Sequence, residues 1–386
     1  MREIKTTEDL ATFCDEARAH PFVTIDTEFL RERTYYSQLC LIQMAYPGDG
    51  EGDAALIDAL APDLSLEPLY NLFRDTRVVK VFHAARQDLE IFVNKAGVLP
   101  DPLFDTQVAA MVCGYGEQVG YETLVRSVCK AQIDKSSRFT DWAQRPLSQK
   151  QKDYALADVT FLRDIYNKLA AELEKSGRAS WVREELGVLT STDTYIIKPE
   201  DAWKRLKTRT NSARFLGIAR ALAEWREREA QTRDIPRNRL MKDDALLELA
   251  ANKPTTIEAL GKSRLLLREA RKGRTAEAIV AVVAEAMALP ESALPKVPRQ
   301  KNNAQVSPAL MDLLRVLLKA KSEQAGVAQK LIATTAELEA WAQGAPEGAK
   351  LRNGWRAEIF GNDAAALRDG KLALTLGKSG VKAIDV

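Results

Sequence analysis

Five side chains stand out for the chemistry they could do: Asp26 and Glu28 in FVTIDTEFL, Asp88 in VVKVFHAARQDLEIF, and Tyr154 and Asp158 in YALADVTFL. In an extended strand, side chains alternate between faces, so Asp26 and Glu28 point one way while Val23, Ile25, Thr27 and Phe29 point the other. Tyr154 and Asp158 are four apart in a helical pattern and share a face. Asp88 follows a strand-like run and falls in the first turn of the next helix. Taken singly, each motif has an ordinary reading: a solvated strand face, a surface pair, an acid favoured by a helix dipole. Together they have another. If four carboxylates converge, each like-charged pair at ~6 Å costs about 3 kcal/mol at an effective dielectric constant near 20. Divalent cations remove that cost. Two of them ~3.5–4 Å apart polarise a phosphodiester, generate a hydroxide-like nucleophile and stabilise the leaving oxygen.

Composition leaves few other routes. His20 and His83 are the only histidines, so imidazole-rich metal sites and serine–histidine chemistry have little to work with. Cys14, Cys40, Cys113 and Cys129 are widely spaced, form no CxxC pair and read as reduced structural thiols. Any metal must rest on carboxylates, which favours hard ions such as Mg²⁺ or Mn²⁺. The chain has 386 residues, 46% of them hydrophobic, enough for two or three domains. It contains no apolar run of ~18 residues, and MREIKTTEDLATFC carries no basic-then-apolar leader. A soluble cytoplasmic protein is the expectation, with no membrane association and no obligate protein partner. Charge is uneven: residues 1–190 hold 22 Lys and Arg against 30 Asp and Glu, and residues 191–386 hold 34 against 24. An acidic half that does carboxylate chemistry and a basic half that holds a polyanion would divide the labour.

The elements that must position the acids follow from periodicity. FVTIDTEF, LCLIQMAY, AALIDAL and VVKVFHA read as strands, and LEPLYNLFRD and RQDLEIFVNKAG as helices, the second ending at Gly97. From LFDTQVAAMVCGYG onward the pattern is helical, most clearly in SQKQKDYALADVTFLRDIYNKLAAELEKSG. Residues 1–190 are therefore expected to form an α/β domain. Residues 191–206 read as a linker, 207–290 as a helical domain, 291–304 as a second linker and 305–386 as a second helical domain. LMKDDALLELA and LIATTAELEAWA, 91 residues apart, are weakly alike.

FVTIDTEFLRERTYYSQLCLIQMA, FHAARQDLEIF, LFDTQVAAMVCGYG and YALADVTFLRDIY resemble the ribonuclease D family of the DEDD exonuclease superfamily. The resemblance implies a ribonuclease H-like α/β exonuclease domain, a mixed sheet flanked by helices. Two small all-α HRDC (helicase and ribonuclease D C-terminal) domains would follow it. It also implies a metal-dependent 3′→5′ exoribonuclease acting on tRNA precursors and other small structured RNAs and releasing 5′-mononucleotides. Asp26, Glu28, Asp88 and Asp158 would hold two Mg²⁺ or Mn²⁺ ions, and Tyr154 would orient the attacking water. Ser37 and Arg86–Gln87 depart from the family pattern without removing a ligand. Two other functions stay open: a DNA 3′→5′ exonuclease of proofreading or helicase-associated type, and a non-catalytic RNA-binding scaffold.

Candidate RNA contacts are Thr27, His83, Arg31, Arg33 and Tyr36 near the acids, and Lys204, Arg205, Lys207 and Arg209 in the basic half. Each has a plainer reading, as a satisfied histidine, a core aromatic or a solvated charge. Asp105 reads as a helix cap.

Overall fold

The computed structural model describes residues 1–48, 50, 52–208, 210, 212–296, 307–344, 348–378 and 380–386. Six strands build the first body: β1 (Arg2–Ile4), β2 (Phe22–Leu30), β3 (Gln38–Ala45), β4 (Ala54–Ile57), β5 (Val79–Phe82) and β6 (Leu103–Asp105). Their order is β1-β4-β3-β2-β5-β6. β3 runs antiparallel to β2 and β4, and the other pairs are parallel, so the sheet is mixed as expected. β1 and β6 were not visible in the sequence because three residues are too few to display an alternation.

Helices α1 (Thr7–Ala17), α2 (Glu67–Phe73), α3 (Arg86–Ala96), α4 (Thr106–Val112), α5 (Tyr121–Leu124), α6 (Gln149–Ser176) and α7 (Ala179–Leu186) surround this sheet. Two of them, α3 and α6, carry the candidate site acids Asp88 and Asp158. α3 starts directly after the β5 turn and stops at Gly97, whose φ of 65° closes the helix in the left-handed conformation that glycine accepts without strain. α6 begins at a capping box in which Ser148 and Gln151 satisfy each other's backbone amides, and it ends at Gly177. Val23 and Ile25 bury one face of β2 in the main core. On the other face the Thr24 hydroxyl lies 2.8 Å from the Val159 carbonyl of α6 and 3.0 Å from the Ala45 carbonyl of β3. That contact ties α6 to β2 one residue from Asp158.

The second body is helical and has a core of its own, built on residues such as Ile218, Leu222, Leu249 and Val283. It comprises α8 (Ala213–Thr232), α9 (Arg237–Leu240), α10 (Asp243–Asn252), α11 (Ile257–Gly261) and α12 (Gly273–Ala288). The stretch 191–206, expected to be a linker, is ordered over Pro199–Arg205 as a 3₁₀ helix whose Ala202 is buried in this core. Most of the 291–304 linker lies outside the described residues.

The C-terminal segment requires a correction. It holds α13 (Pro308–Ala325), α14 (Gln329–Ile332), α15 (Thr335–Ala342), α16 (Gly354–Arg356) and α17 (Asn362–Arg368), but it ends in a hairpin of β7 (Leu372–Gly377) and β8 (Gly380–Asp385). It is therefore not all-α. Each strand shows only three alternating positions, and these follow a strong helical pattern that masks them. The segment also lacks a separate core: Leu314, Trp341, Trp355 and Phe360 share one cluster with Ile165, Leu169 and Val182 of the first body. Trp355 stacks on Trp181 at 4.6 Å, and buried Arg356 bonds Glu184 at 3.1 Å and also Glu185. The weak internal likeness survives locally, because α9–α10 and α14–α15 are both a short helix, two extended residues (Met241–Lys242 or Ala333–Thr334) and a second helix. Among the described residues no helix is long and apolar enough to cross a membrane.

Candidate active site

β2 answers why a core strand carries two acids. Asp26 and Glu28 emerge on the face that α6 covers, and α6 brings Asp158 to them. Asp26, Glu28 and Asp158 each offer a carboxylate oxygen within 4.8 Å of the others. Asp88 lines the same cleft but is not a member of this tight trio. Its carboxylate is held by the Thr27 hydroxyl from the opposite face of the strand, and it is buried. Asp105 shapes the turn beneath it, accepting the amides of Ala84 at 3.0 Å, Ala85 at 2.9 Å and Gln107 at 2.8 Å. Ala84 stands at φ 56° there, so the capping acid fixes both α4 and the entry to α3.

Burial and crowding push every acid toward its neutral form. Desolvation followed by repulsion from Asp158 and Asp88 raises Glu28 to about 9. Asp26 is raised well above its ordinary value by desolvation, then by Asp158, Asp88 and Glu28. Desolvation raises Asp88 and Asp158 to about 7 against the opposing pull of Thr27 and Tyr154, respectively. Carboxylates this destabilised without a cation, with hard oxygen donors converging, fit a divalent metal. Asp26, Glu28 and Asp158 meet the requirement most directly.

The cleft has a volume of about 590 Å³ and a rim the sequence reading did not single out. Lys135, Arg138 and Phe139 come from the segment between α5 and α6. The Phe139 ring is 91% exposed beside the Arg138 guanidinium, 5.2 Å from its centroid. Arg138 and Lys135 draw the Asp158 carboxyl downward, and Arg138 does the same to Glu28. Two anchors hold the segment: Trp142 is buried, and Arg145 grips Asp58 at 2.7 and 2.9 Å. The adjacent cation and aromatic in KSSRFTDW were the available signal. Gln43, paired with Asp26 in register and fully buried, has no partner for its amide atoms among the described residues.

Residues 1–174 match the family model described as 3′–5′ exonuclease, and residues 215–283 match the HRDC domain. The chain is 60% identical to ribonuclease D of Jannaschia sp. over 99% of both chains. It is 50% identical to that of Granulibacter bethesdensis over 99% of this chain and 96% of the other. The chain belongs to the ribonuclease D family. It is accordingly a metal-dependent 3′→5′ exoribonuclease, with one HRDC domain matched rather than two. The crystal structure of Escherichia coli RNase D, an exoribonuclease involved in structured RNA processing, superposes with a TM-score of 0.83 at 33% identity. That likeness covers 96% of this chain and 98% of the other. The catalytic core of RRP6 from Trypanosoma brucei, 22% identical with a TM-score of 0.56 over 75% of this chain and 80% of that one, shares the fold.

Several residues expected to contact RNA have partners within the chain. Thr27 is buried and serves Asp88. His83 is half-buried, 3.0 Å from the Thr106 hydroxyl, and burial lowers its pKa, although its ring does line the cleft. The RERTYY loop docks the HRDC domain: Tyr35 and Tyr36 donate both backbone amides to Asp234, and Tyr36 packs edge-on against Tyr35. Arg31 pairs with Glu90 at 3.1 Å, whereas Arg33 is exposed. Lys204 pairs with Asp201 at 2.7 Å, and Arg205 and Lys207 are exposed. Arg209 lies outside the described residues. Arg214, part of the same basic run, instead caps carbonyls at the end of α12.

Proposed function

We propose that this protein trims 3′-extended tRNA precursors and other small structured RNAs in the cytoplasm, releasing 5′-mononucleotides one at a time. The observation that carries this reading is the trio Asp26, Glu28 and Asp158, with Tyr154 beside the last in the same cleft. We assign Asp26, Glu28, Asp88 and Asp158 to holding two Mg²⁺ or Mn²⁺ ions. Such ions, when bound, supply Lewis acidity toward the phosphodiester oxygens. The chain's own residues do the rest. The Tyr154 hydroxyl stands beside Asp158, and its lone pairs are left to orient a water in the cleft. Its phenol is pushed further above its ordinary range by desolvation and by Asp158, so it acts as a neutral hydrogen-bonding group and not as a base. Lys135 and Arg138 stand over the acids as counter-charges for the phosphate. Phe139 offers an exposed ring on which a base stacks.

Nucleotide release from a 3′-extended tRNA and from matched RNA and DNA oligonucleotides, with and without chelator, tests the reading. RNA should be shortened from its 3′ end, DNA much less, and EDTA should stop both. An Asp26→Ala protein that retains full activity would refute the assignment.

A further inference from the structure

The loop leaving the acidic strand is where the two bodies meet. One carboxylate oxygen of Asp234, just past α8, takes the amides of Tyr35 and Tyr36, each at 3.0 Å. The Tyr35 hydroxyl donates to fully buried Glu227 at 2.5 Å. Beside this seam lies a cavity of about 510 Å³ with shared walls: Arg31, Arg86 and Glu90 from the exonuclease body, Arg205 and Arg237 from the HRDC side. Four guanidinium groups thus face one carboxylate. Arg31 already engages Glu90, and Arg237 stands 3.9 Å from Glu227. Arg86 and Arg205 are exposed, and among the described residues neither has an ion-pair partner.

Location matters as much as charge. The first turn of α3 divides this cavity from the acid cleft: Gln87 and Asp88 line the cleft, Arg86 and Glu90 the seam. Phe29 and Arg31 divide the end of β2 in the same way. A helix is about 10–12 Å across, so a strand with its 3′ end in the cleft can carry earlier phosphates past that turn into the seam.

We propose that the seam cavity is a phosphodiester-binding site for the RNA strand upstream of the scissile bond, closed by arginines from both bodies. The proposal rests on the exoribonuclease reading above. Guanidinium groups with no internal partner take phosphate oxygens bidentately. Because the set comes from two bodies, it exists only while they are docked, which gives the Tyr35–Asp234 contact a purpose.

The test is equilibrium binding of the full chain to 5′-fluorescein oligoadenylates of increasing length, measured in EDTA so that nothing is cut. Each phosphate neutralised on a single strand contributes a slope of about 0.7 to log K against log salt. Arg86→Ala combined with Arg205→Ala should therefore lower the slope by about 1.4 and erase the affinity that longer strands gain over a trimer. The Arg86→Lys, Arg205→Lys protein, which keeps both charges, should keep the slope, and it controls for folding. An alanine pair with the wild-type slope and length profile overturns the proposal. So does displacement of the RNA by inorganic phosphate at equal concentration, which would make this a site for a free anion. Nucleotide release by the wild type in Mg²⁺ is scored separately: if it is absent, the exoribonuclease reading fails; if it is present with an unaltered slope in the alanine pair, only the seam site fails.

Discussion

Glu28→Gln should stabilise the metal-free protein while destroying its activity, and the size of the effect should depend on pH. Glu28 is raised from 4.5 to about 9, chiefly by desolvation and then by Asp158 and Asp88. Below pH 4.5 the carboxyl is protonated in the folded and unfolded chain alike, so it contributes no difference. As pH climbs toward 9, the unfolded chain gains by ionising and the folded chain does not, so stability is lost across that window. At pH 7 the unfolded chain's ionisation, about 2.5 pH units above 4.5 at about 1.4 kcal/mol each, is worth roughly 3.5 kcal/mol. Glutamine fills the same space without the proton. Thermal unfolding in EDTA should therefore find the two proteins close at pH 5, and the variant higher by several degrees at pH 8, at roughly 2 °C per kcal/mol. Adding Mg²⁺ should reverse the order, because the wild type gains a ligand set that the variant lacks. Nucleotide release by the variant should fall by at least ~10²-fold. If the wild type in EDTA is as stable at pH 8 as at pH 5, or the variant gains nothing at pH 8, the acids are not crowded and the argument for a cation fails.

Three further outcomes follow from particular contacts. Tyr154→Phe keeps the ring beside Trp142, 6.2 Å away, but removes the hydroxyl from Asp158; kcat should drop by ~10²-fold or more with KM little altered, as measured by nucleotide release. Phe139→Ala should act mainly on KM, raising it about fivefold or more, since a stacked base is worth ~1–3 kcal/mol, and Phe139→Trp should restore it. Arg356→Met strands half-buried Glu185 and should cost about 3 kcal/mol or more in denaturant unfolding, read as a lower midpoint.

The convergence of the candidate acids was legible because their positions obey local rules. Alternation in FVTIDTEFL fixes the common face of Asp26 and Glu28, a four-residue spacing fixes that of Tyr154 and Asp158, and both signals survive without any neighbour. Asp105 was equally readable, as a cap, and it performs that role. The rim was not. Lys135, Arg138 and Phe139 lie in a segment with no period, and their meaning comes from Trp142 and Arg145 holding it over the cleft. The RERTYY loop was ambiguous, since tyrosines and arginines suit RNA and a domain seam equally well: its tyrosine amides dock Asp234, while Arg31 lines the seam cavity.

What the sequence alone determined is the identity of the chemistry and the elements that carry it, because strand and helix periods are properties of a few consecutive residues. Which acids close into a trio, why Asp88 stands apart on Thr27, and where two arginines from each body share one cavity were decided by tertiary packing. The same holds for the C-terminal segment: nothing local distinguishes a helix that closes its own core from one that completes another's, and Trp355 against Trp181 settles it. Periodicity says which face is apolar; only the folded chain says what covers it.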